Sequence, residues 1–193
     1  MNNFIEEYVI SEKACDEVLK FFMDKEDFHH RGKSGFGVHL DKKDSYDIGI
    51  DHDDIDTMGS YGKELMSRGK EYVDTHMNDE WTIGTEIILS PISNIQKYKP
   101  GGGYRALHYE RTSHLSRERE LVFMTYLTTT PNAGTAFPQW NYESECIKGK
   151  TLIWPAGFTH KHHGIISQEH EKIIITGWFD WLPIRHPGNK LLM

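Results

Sequence analysis

Two short motifs in this sequence contain the residue types that bind transition metals. "ALHYERTS" holds His108 and Glu110, and "FTHKHHG", further along the chain, holds three more histidines. On a β-strand, residues two positions apart point to the same face, so the imidazole of His108 and the carboxylate of Glu110 would converge on one point. One further histidine would complete the two-histidine, one-carboxylate set of non-haem iron(II) oxygenases, which leaves coordination positions open. Because a His-x-Glu pair alone is more often a solvated strand face, this interpretation depends on the third ligand.

The histidines at positions 160, 162 and 163 are the candidates for that third ligand. If the segment is a strand, His160 and His162 share one face while His163 points away, which makes His163 a surface residue. The strand period does not separate His160 from His162. Whichever of the two does not bind the metal could orient a ligand or the cosubstrate.

A cosubstrate follows from the number of ligands. Three protein ligands leave three positions on an octahedral iron, of which a 2-oxo acid would take two and O2 the last. If that acid is 2-oxoglutarate, its far carboxylate needs a cation or hydroxyl partner inside the protein. Lys172 heads the apolar segment "EKIIITGWFDW" and by alternation shares a face with Ile174, Thr176 and Trp178. A lysine that faces the interior is costly unless it meets an anion, whereas a lysine just outside the strand would be solvated.

The sequence before these motifs predicts helices. Ser11 can cap one helix, a second is predicted from Asp54 to about His76, and a Gly- and Asp-rich connector covers 29–56. The acidic run "DHDDID" fits a solvated start of the second helix better than a Ca²⁺ loop, because its acids lack the spacing of such a loop. The predicted apolar faces are Ala14, Cys15, Val18, Leu19, Phe22 and Met23 in the first helix, and Met58, Tyr61, Leu65, Tyr72 and Val73 in the second.

From Trp81 onward the pattern changes to short segments rich in Ile, Val, Thr, Tyr and Trp, which predict β-strands. These segments are "TEIILS", "NIQKY", "ELVFMTYLTTT", "KTLIW" and "KIIITGWFDW", and Gly and Pro punctuate them. Several short strands spaced in this way predict a β-sandwich or a barrel.

Bulk composition excludes several classes of protein. The chain has 193 residues, which fits one domain, and 29 acidic residues against 22 basic ones give a net charge of −7. This balance argues against general binding to nucleic-acid backbones, and two cysteines, Cys15 and Cys146, make no disulfide framework. Cys146 has no base paired with it in the sequence, so nucleophilic catalysis is unsupported. We see neither a membrane span nor a signal peptide and expect a cytoplasmic protein.

Four motifs, in order along the chain, resemble the Fe(II)/2-oxoglutarate-dependent dioxygenases, in particular their prolyl 4-hydroxylase-like branch. "YKPGGGYRALHYE" resembles the segment with the first two iron ligands, and "RELVFMTYLTTTPNAGTAFP" resembles a strand followed by a Gly-Gly-x-Thr-x-Phe turn. "KGKTLIWP" resembles the Gly-x-x-hydrophobic-aromatic-Pro strand. "HHGIISQEHEKIIITGWF" resembles the His-x-Gly segment with a basic residue ten positions after the histidine. The resemblance covers residues 95–181.

The resemblance implies a role for each matching residue. His108, Glu110 and His162 would be the iron ligands, and Lys172 would bind the far carboxylate of 2-oxoglutarate. Tyr98 stands where the family often places a hydroxyl against the same cosubstrate. The positions of Gly164 and Lys172, two and ten residues after His162, favour His162 over His160 as the distal ligand. Further residues expected to line the pocket are Tyr126, Thr135 and Trp178.

The implied fold is mainly β with flanking helices: a double-stranded β-helix, the jelly-roll also found in cupins, with N-terminal helices packed outside. We expect a single domain, residues 1–193, with an N-terminal helical support region (1–80) and a catalytic core (81–182). Three positions depart from the prolyl hydroxylase pattern. Glu110 stands where that branch usually has Asp, and Ala133 replaces the first glycine of the turn. The basic residue is Lys172, as in several prolyl 4-hydroxylases, rather than arginine.

The implied activity is hydroxylation of a C–H bond with Fe(II), 2-oxoglutarate and O2, releasing succinate and CO2, with ascorbate as an optional accessory reductant. A cupin-type metal enzyme is one alternative, although a cupin would usually show His-x-His in the first motif. A non-catalytic metal-binding barrel is the other. The substrate stays open between a peptidyl proline, another side chain, a free amino acid and a small metabolite. We expect its contacts from the loops at 28–53 and 111–119; the oligomeric state is not readable.

Overall fold

The computed structural model describes residues 3–35, 37–51, 58–77 and 86–181. Within these ranges the chain forms two α-helices and thirteen β-strands, all paired strands being antiparallel. None of the helices in this part of the chain has the length and apolar character that a membrane crossing requires. The mainly β architecture with flanking helices is as predicted.

Helix α1 (Glu12–Asp24) begins after Ser11, whose hydroxyl accepts a hydrogen bond from the backbone N–H of Ala14 at 3.3 Å. This is the N-cap predicted from the sequence. Most of the predicted apolar face packs into the core, but Met23 is exposed because it lies at the edge of that face.

Helix α2 (Ser60–His76) ends where predicted and buries Tyr61, Leu65 and Tyr72. It begins after Gly59, and the predicted start at Asp54 lies outside the described residues. Gly69 is the point of closest approach to the sheet: a Cβ there would lie 2.7 Å from the ring of Phe179.

Eight strands build the major sheet: β1 Glu6–Val9, β2 His30–Arg31, β4 Tyr46–Asp51, β5 Ile87–Leu89, β6 Ile92–Tyr98, β8 Arg119–Tyr126, β11 Lys150–Pro155 and β13 Lys172–Trp181. Their order across the sheet is β1-β11-β8-β13-β6-β4-β2, with β5 pairing β13. A minor sheet has the order β10-β9-β12, with β9 Thr135–Phe137, β10 Tyr142–Glu143 and β12 His163–Gly164. Strands β3 (Lys43–Asp44) and β7 (Gly103–Tyr104) form a separate pair.

Side chains on the two faces of the major sheet enter two separate cores. On β13, Ile173 and Ile175 face the helices and join the core that α1 and α2 cover. Ile174 faces the other way, into a second core that includes Phe137 of the minor sheet and Trp154 of β11. This is the alternation predicted for the segment. The second face is the one that carries Lys172.

The N-terminal region also contributes strands that were not predicted. Strands β1 and β2 extend the major sheet at its two edges, and β4 pairs with β6 from Tyr46↔Lys97 to Asp51↔Ile92. The prediction of a connector over 29–56 is therefore wrong for β2, β3 and β4. Its glycines and aspartates hid a short alternation, because Ile48 and Ile50 are buried while Gly49 and Asp51 are exposed. The boundary between a support region and a core at residue 80 stays a prediction.

Candidate metal centre

His108, Glu110 and His162 come together at the mouth of the space between the sheets. One ligand atom from each lies within 4.8 Å of the others. A short backbone bridge brings the histidines together: the N–H of His108 donates to the carbonyl of His162 at 3.0 Å, and the reverse bond is 2.9 Å. Glu110 follows two residues after His108, so its carboxylate reaches the same point.

Hydrogen bonds fix which imidazole nitrogen faces the centre. The Nδ1 atom of His108 lies 2.8 Å from the carbonyl oxygen of Ala106, and that of His162 lies 3.0 Å from the carbonyl oxygen of His160. A carbonyl accepts only from a protonated nitrogen, so each Nδ1 carries a hydrogen and each Nε2 is the atom that could bind a metal. The Oε1 atom of Glu110 faces both Nε2 atoms, at 3.4 Å from His108 and 3.7 Å from His162.

The protonation states suit a divalent cation. Burial and the neighbouring His108 lower the pKa of His162 to about 4, so its imidazole is neutral at pH 7. Burial raises the pKa of Glu110, but its interactions with His108, His162 and Arg119 outweigh burial and bring the pKa to about 2. The neutral imidazole of His162, the imidazole of His108 and one carboxylate anion are a donor set that could hold a metal ion.

His160 does not lie on a strand face with His162, so that expectation is wrong. Residues Phe158–His160 form a 3-10 turn, which rotates the His160 side chain away from the cluster. Its Nε2 atom lies 2.8 Å from the carbonyl oxygen of Asn3, and its ring stacks on Trp140. His160 still orients His162, but through its backbone carbonyl. His163 pairs with Ala136 in the minor sheet and takes no part in the cluster.

Lys172 points into the same space. Its side chain is buried, and the Nζ atom donates to the carbonyls of Ala133 at 2.8 Å and Ile165 at 3.3 Å. Among the described residues no carboxylate pairs with it. Burial lowers the pKa of Lys172 to about 8, because an ammonium group loses hydration there without gaining a counter-charge. Alanine instead of glycine at position 133 leaves this contact intact, because the backbone carbonyl accepts the hydrogen bond.

A cavity of about 550 Å³ contains both the histidine–glutamate cluster and Lys172. Tyr98, Thr135 and Trp178 line it. Tyr126 does not: it lies behind Thr135, and its hydroxyl donates to Thr135 Oγ1 at 2.9 Å. The loops expected at the mouth also contribute to the wall, with His30, Lys33, Gly35, Lys43, Asp47, Thr112 and Arg119.

Sequence reasoning missed two residues that touch the cluster. Tyr104 stacks on His108 with ring centroids 3.8 Å apart. The guanidinium of Arg119 lies 3.4 Å from the ring centroid of Trp178 and 3.6 Å from Glu110 Oε2. The position of Tyr104 in the Gly-rich motif could have identified it from the sequence. The position of Arg119 could not, because a β-bulge determines which face of the sheet its side chain lies on.

Comparison with solved structures extends over nearly the whole chain. A viral collagen prolyl hydroxylase from Paramecium bursaria Chlorella virus-1, in complex with 2-oxoglutarate, superposes with a TM-score of 0.63 at 18% identity, covering 91% of this chain and 95% of that one. A Pseudomonas putida prolyl-4-hydroxylase gives 0.66 at 14% identity, with 92% of each chain covered. The chain has the prolyl 4-hydroxylase fold.

A third structure with this prolyl 4-hydroxylase fold is a Trichoplax adhaerens prolyl hydroxylase bound to a peptide fragment of the hypoxia inducible factor oxygen degradation domain. It gives a TM-score of 0.68 at 14% identity, covering 93% of this chain and 84% of that one. No protein-family model matches the sequence, and no curated protein matches it either. At these identities the superpositions establish the jelly-roll fold, so the chemistry has to be argued from the site.

Proposed function

We propose that this chain is an Fe(II)- and 2-oxoglutarate-dependent oxygenase that hydroxylates a C–H bond. One observation carries the proposal: a cluster of two imidazoles and one carboxylate shares a cavity with a buried lysine that has no carboxylate partner among the described residues. A metal ion alone does not account for the lysine. A chelating acid with a second carboxylate accounts for both ends of the cavity.

The residues present fit these groups. His108, Glu110 and His162 would hold the metal through Nε2, Oε1 and Nε2. Lys172 would bind the far carboxylate of 2-oxoglutarate, with Tyr98 and Thr135 beside it. When bound, the iron and the 2-oxo acid supply the activation of O2 and the oxidative decarboxylation to succinate and CO2.

The chain's own contribution is binding, orientation and exclusion of water. The carbonyls that accept from Nδ1 keep His108 and His162 in one tautomer. Lys172 gives up little hydration when an anion arrives, since burial has already removed most of its water. Tyr98 lies opposite Lys172 in the β6–β13 pairing, with its ring centroid 5.2 Å from Nζ, and narrows that end of the cavity.

Two other functions fit less of the site. A cupin-type metal enzyme would use the three ligands but has no need of an unpaired buried cation. A non-catalytic metal-binding barrel would use the same three deprotonated ligands, and it too has no need of that cation. Both alternatives leave the cost of burying Lys172 unexplained.

For the substrate we propose only a chemical class. A prolyl or other peptidyl side chain is the class we favour, with a free amino acid as the next, because the Trichoplax structure with this fold binds a peptide. Ascorbate as an accessory reductant and a cytoplasmic location remain predictions from the sequence. Screening succinate release against capped peptides, free amino acids and small metabolites would identify the class.

The metal and cosubstrate are tested together without oxygen. Anaerobic addition of Fe(II) and then 2-oxoglutarate should give the visible charge-transfer band of the chelate. The band should need both additions. A folded protein that shows no band at saturating concentrations of both would contradict the proposed function.

A further inference from the structure

Glu110 uses its two carboxylate oxygens differently. Oε1 faces the Nε2 atoms of His108 and His162, whereas Oε2 accepts a hydrogen bond from the indole N–H of Trp178 at 3.2 Å. We propose that Trp178, held in place by Arg119, is a positioning residue that fixes Oε2 so that Oε1 points at the metal. The inference rests on the proposed metal site, and it gives Trp178 a role beyond lining the cavity.

Arg119 holds the indole from above. Its guanidinium carbon lies 3.4 Å from the Trp178 ring centroid, close enough for cation–π contact. The same guanidinium donates from Nη1 to the backbone carbonyl of Glu110 at 3.3 Å and lies 3.6 Å from Oε2. The indole, the guanidinium and the carboxylate therefore form one closed group of contacts. Neither Trp178 nor Arg119 can turn without losing a bond to Glu110.

A β-bulge places Arg119 in this group. Strands β8 and β13 pair regularly up to Leu121↔Phe179, and the register then shifts so that Arg119 pairs with Asp180. Leu121 packs in the core under the helices, and simple alternation would send Arg119 to that same face. The extra residue in β8, Glu120, reverses the alternation and brings Arg119 to the cavity face beside Trp178. Bulges of this kind often redirect a side chain next to a functional site.

The length of the Glu110 side chain explains why its carboxylate needs the contacts with Trp178 and Arg119. Glutamate has one more rotatable bond than the aspartate usual in the prolyl hydroxylase motif, so its carboxylate has more orientations to lose on binding a metal. A hydrogen bond to the non-ligating oxygen removes most of those orientations beforehand. Partners of this kind typically change metal affinity about 10- to 100-fold.

A purely structural role for Trp178 is the competing explanation, and a double-mutant cycle separates the two. Mn(II), a redox-stable probe, is titrated into the full chain and its free ion is followed by electron paramagnetic resonance. Trp178→Phe keeps an aromatic ring at this position but loses the indole N–H. We expect its Mn(II) dissociation constant to rise about tenfold or more. Glu110→Asp shortens the carboxylate out of reach of Trp178. The double variant should bind no more weakly than Glu110→Asp alone, because the contact is already lost.

Tyr142→Phe is the matched control. It removes a hydrogen bond donated to another glutamate carboxylate, from the Tyr142 hydroxyl to Glu7 Oε1, and keeps the ring in place. Its Mn(II) affinity should equal that of the wild type. If Trp178→Phe proves unstable, Arg119→Met provides a second route: the aliphatic stem still covers the indole, the charge and the carbonyl bond are lost, and Mn(II) binding should weaken in the same direction.

Two results would overturn the inference: an unchanged dissociation constant in folded Trp178→Phe, or effects of Trp178→Phe and Glu110→Asp that simply multiply in the double variant. Wild-type protein that fails to bind Mn(II) at all would overturn the metal site itself, and the proposed function with it. The two kinds of failure are therefore distinguishable.

Discussion

The ammonium group of Lys172 makes its shortest contact, 2.8 Å, with an uncharged partner, the backbone carbonyl of Ala133. A carbonyl dipole satisfies one N–H but does not neutralise the charge. The cavity thus retains a buried positive charge at the end away from the mouth, which an anionic ligand would stabilise. The binding of 2-oxoglutarate should depend on this charge more than on any other single group at that end.

Replacement of the lysine tests this dependence. Lys172→Met keeps a side chain of similar length and should raise the dissociation constant for 2-oxoglutarate about 10- to 100-fold, the usual effect of losing a hydrogen bond between charged groups. Calorimetric titration in the presence of Mn(II) measures it. Lys97→Met is the control, because Lys97 pairs with Glu171 on the other face of the sheet. An equal loss in both variants would refute the assignment.

The lowered pKa of Lys172 also predicts how stability varies with pH. In the folded protein this pKa is about 8, while an unfolded lysine titrates near 10.4. Between these values the unfolded chain binds a proton that the folded chain does not. Stability of the ligand-free protein should therefore rise from pH 8 to about pH 10, by up to roughly 1.4 kcal/mol per unit. Urea unfolding of the wild type should show this rise relative to Lys172→Met, and parallel curves would contradict it.

The two neighbouring histidines should separate function from stability. His162→Ala removes a ligand atom and should abolish the anaerobic Fe(II)–2-oxoglutarate band while the protein stays folded. His160→Ala should keep the band but lower the free energy of unfolding by about 1–3 kcal/mol, because the part-buried carbonyl of Asn3 loses its partner. Absorption spectra and urea unfolding on both variants decide this. Loss of the band in His160→Ala would mean that the wrong histidine was chosen.

Sequence patterns predicted the parts of this structure that follow a local rule. Strand β13 was predicted over its full length because its ten residues alternate between two faces, and His108 and Glu110 converge as their spacing requires. The Ser11 cap was equally readable. In each case one local rule, the period of a strand or the chemistry of a cap, decides where the side chain goes.

What the sequence did not show depends on contacts between distant segments. The bulge that turns Arg119 into the cavity exists only where β8 meets β13, and no local pattern marks it. The 3-10 turn at His160 is stabilised by its contact with Asn3, at the opposite end of the chain. Tyr126 follows the predicted alternation, yet Thr135 from the minor sheet lies between it and the cavity.

The cavity wall contains a buried ion pair that should behave unlike a surface one. Lys43 Nζ lies 2.6 Å from Asp47 Oδ2, and both side chains are only 5% exposed. Asp47→Ala should cost about 3–5 kcal/mol, because it leaves Lys43 charged and unpaired, whereas the double change Lys43→Met/Asp47→Leu should be close to neutral. Asp74→Ala breaks a pair with the same spacing on α2, but an exposed one, and should cost under about 0.5 kcal/mol. Urea unfolding ranks the three, and equal costs for both single changes would contradict the argument.

The turn before β9 tolerates Ala133 but should not tolerate a side chain at Gly134. A Cβ at Gly134 would lie 1.6 Å from the backbone oxygen of Ser144, and neither backbone can yield without breaking the minor sheet. Gly134→Ala should therefore destabilise the protein and, by displacing the Ala133 carbonyl, weaken 2-oxoglutarate binding as well. Gly157→Ala is the control, since its nearest neighbour would be a flexible arginine tip at 3.6 Å. Calorimetry and urea unfolding of the two variants measure both effects. A Gly134→Ala protein with wild-type stability would show that strands β9 and β10 can separate at this point.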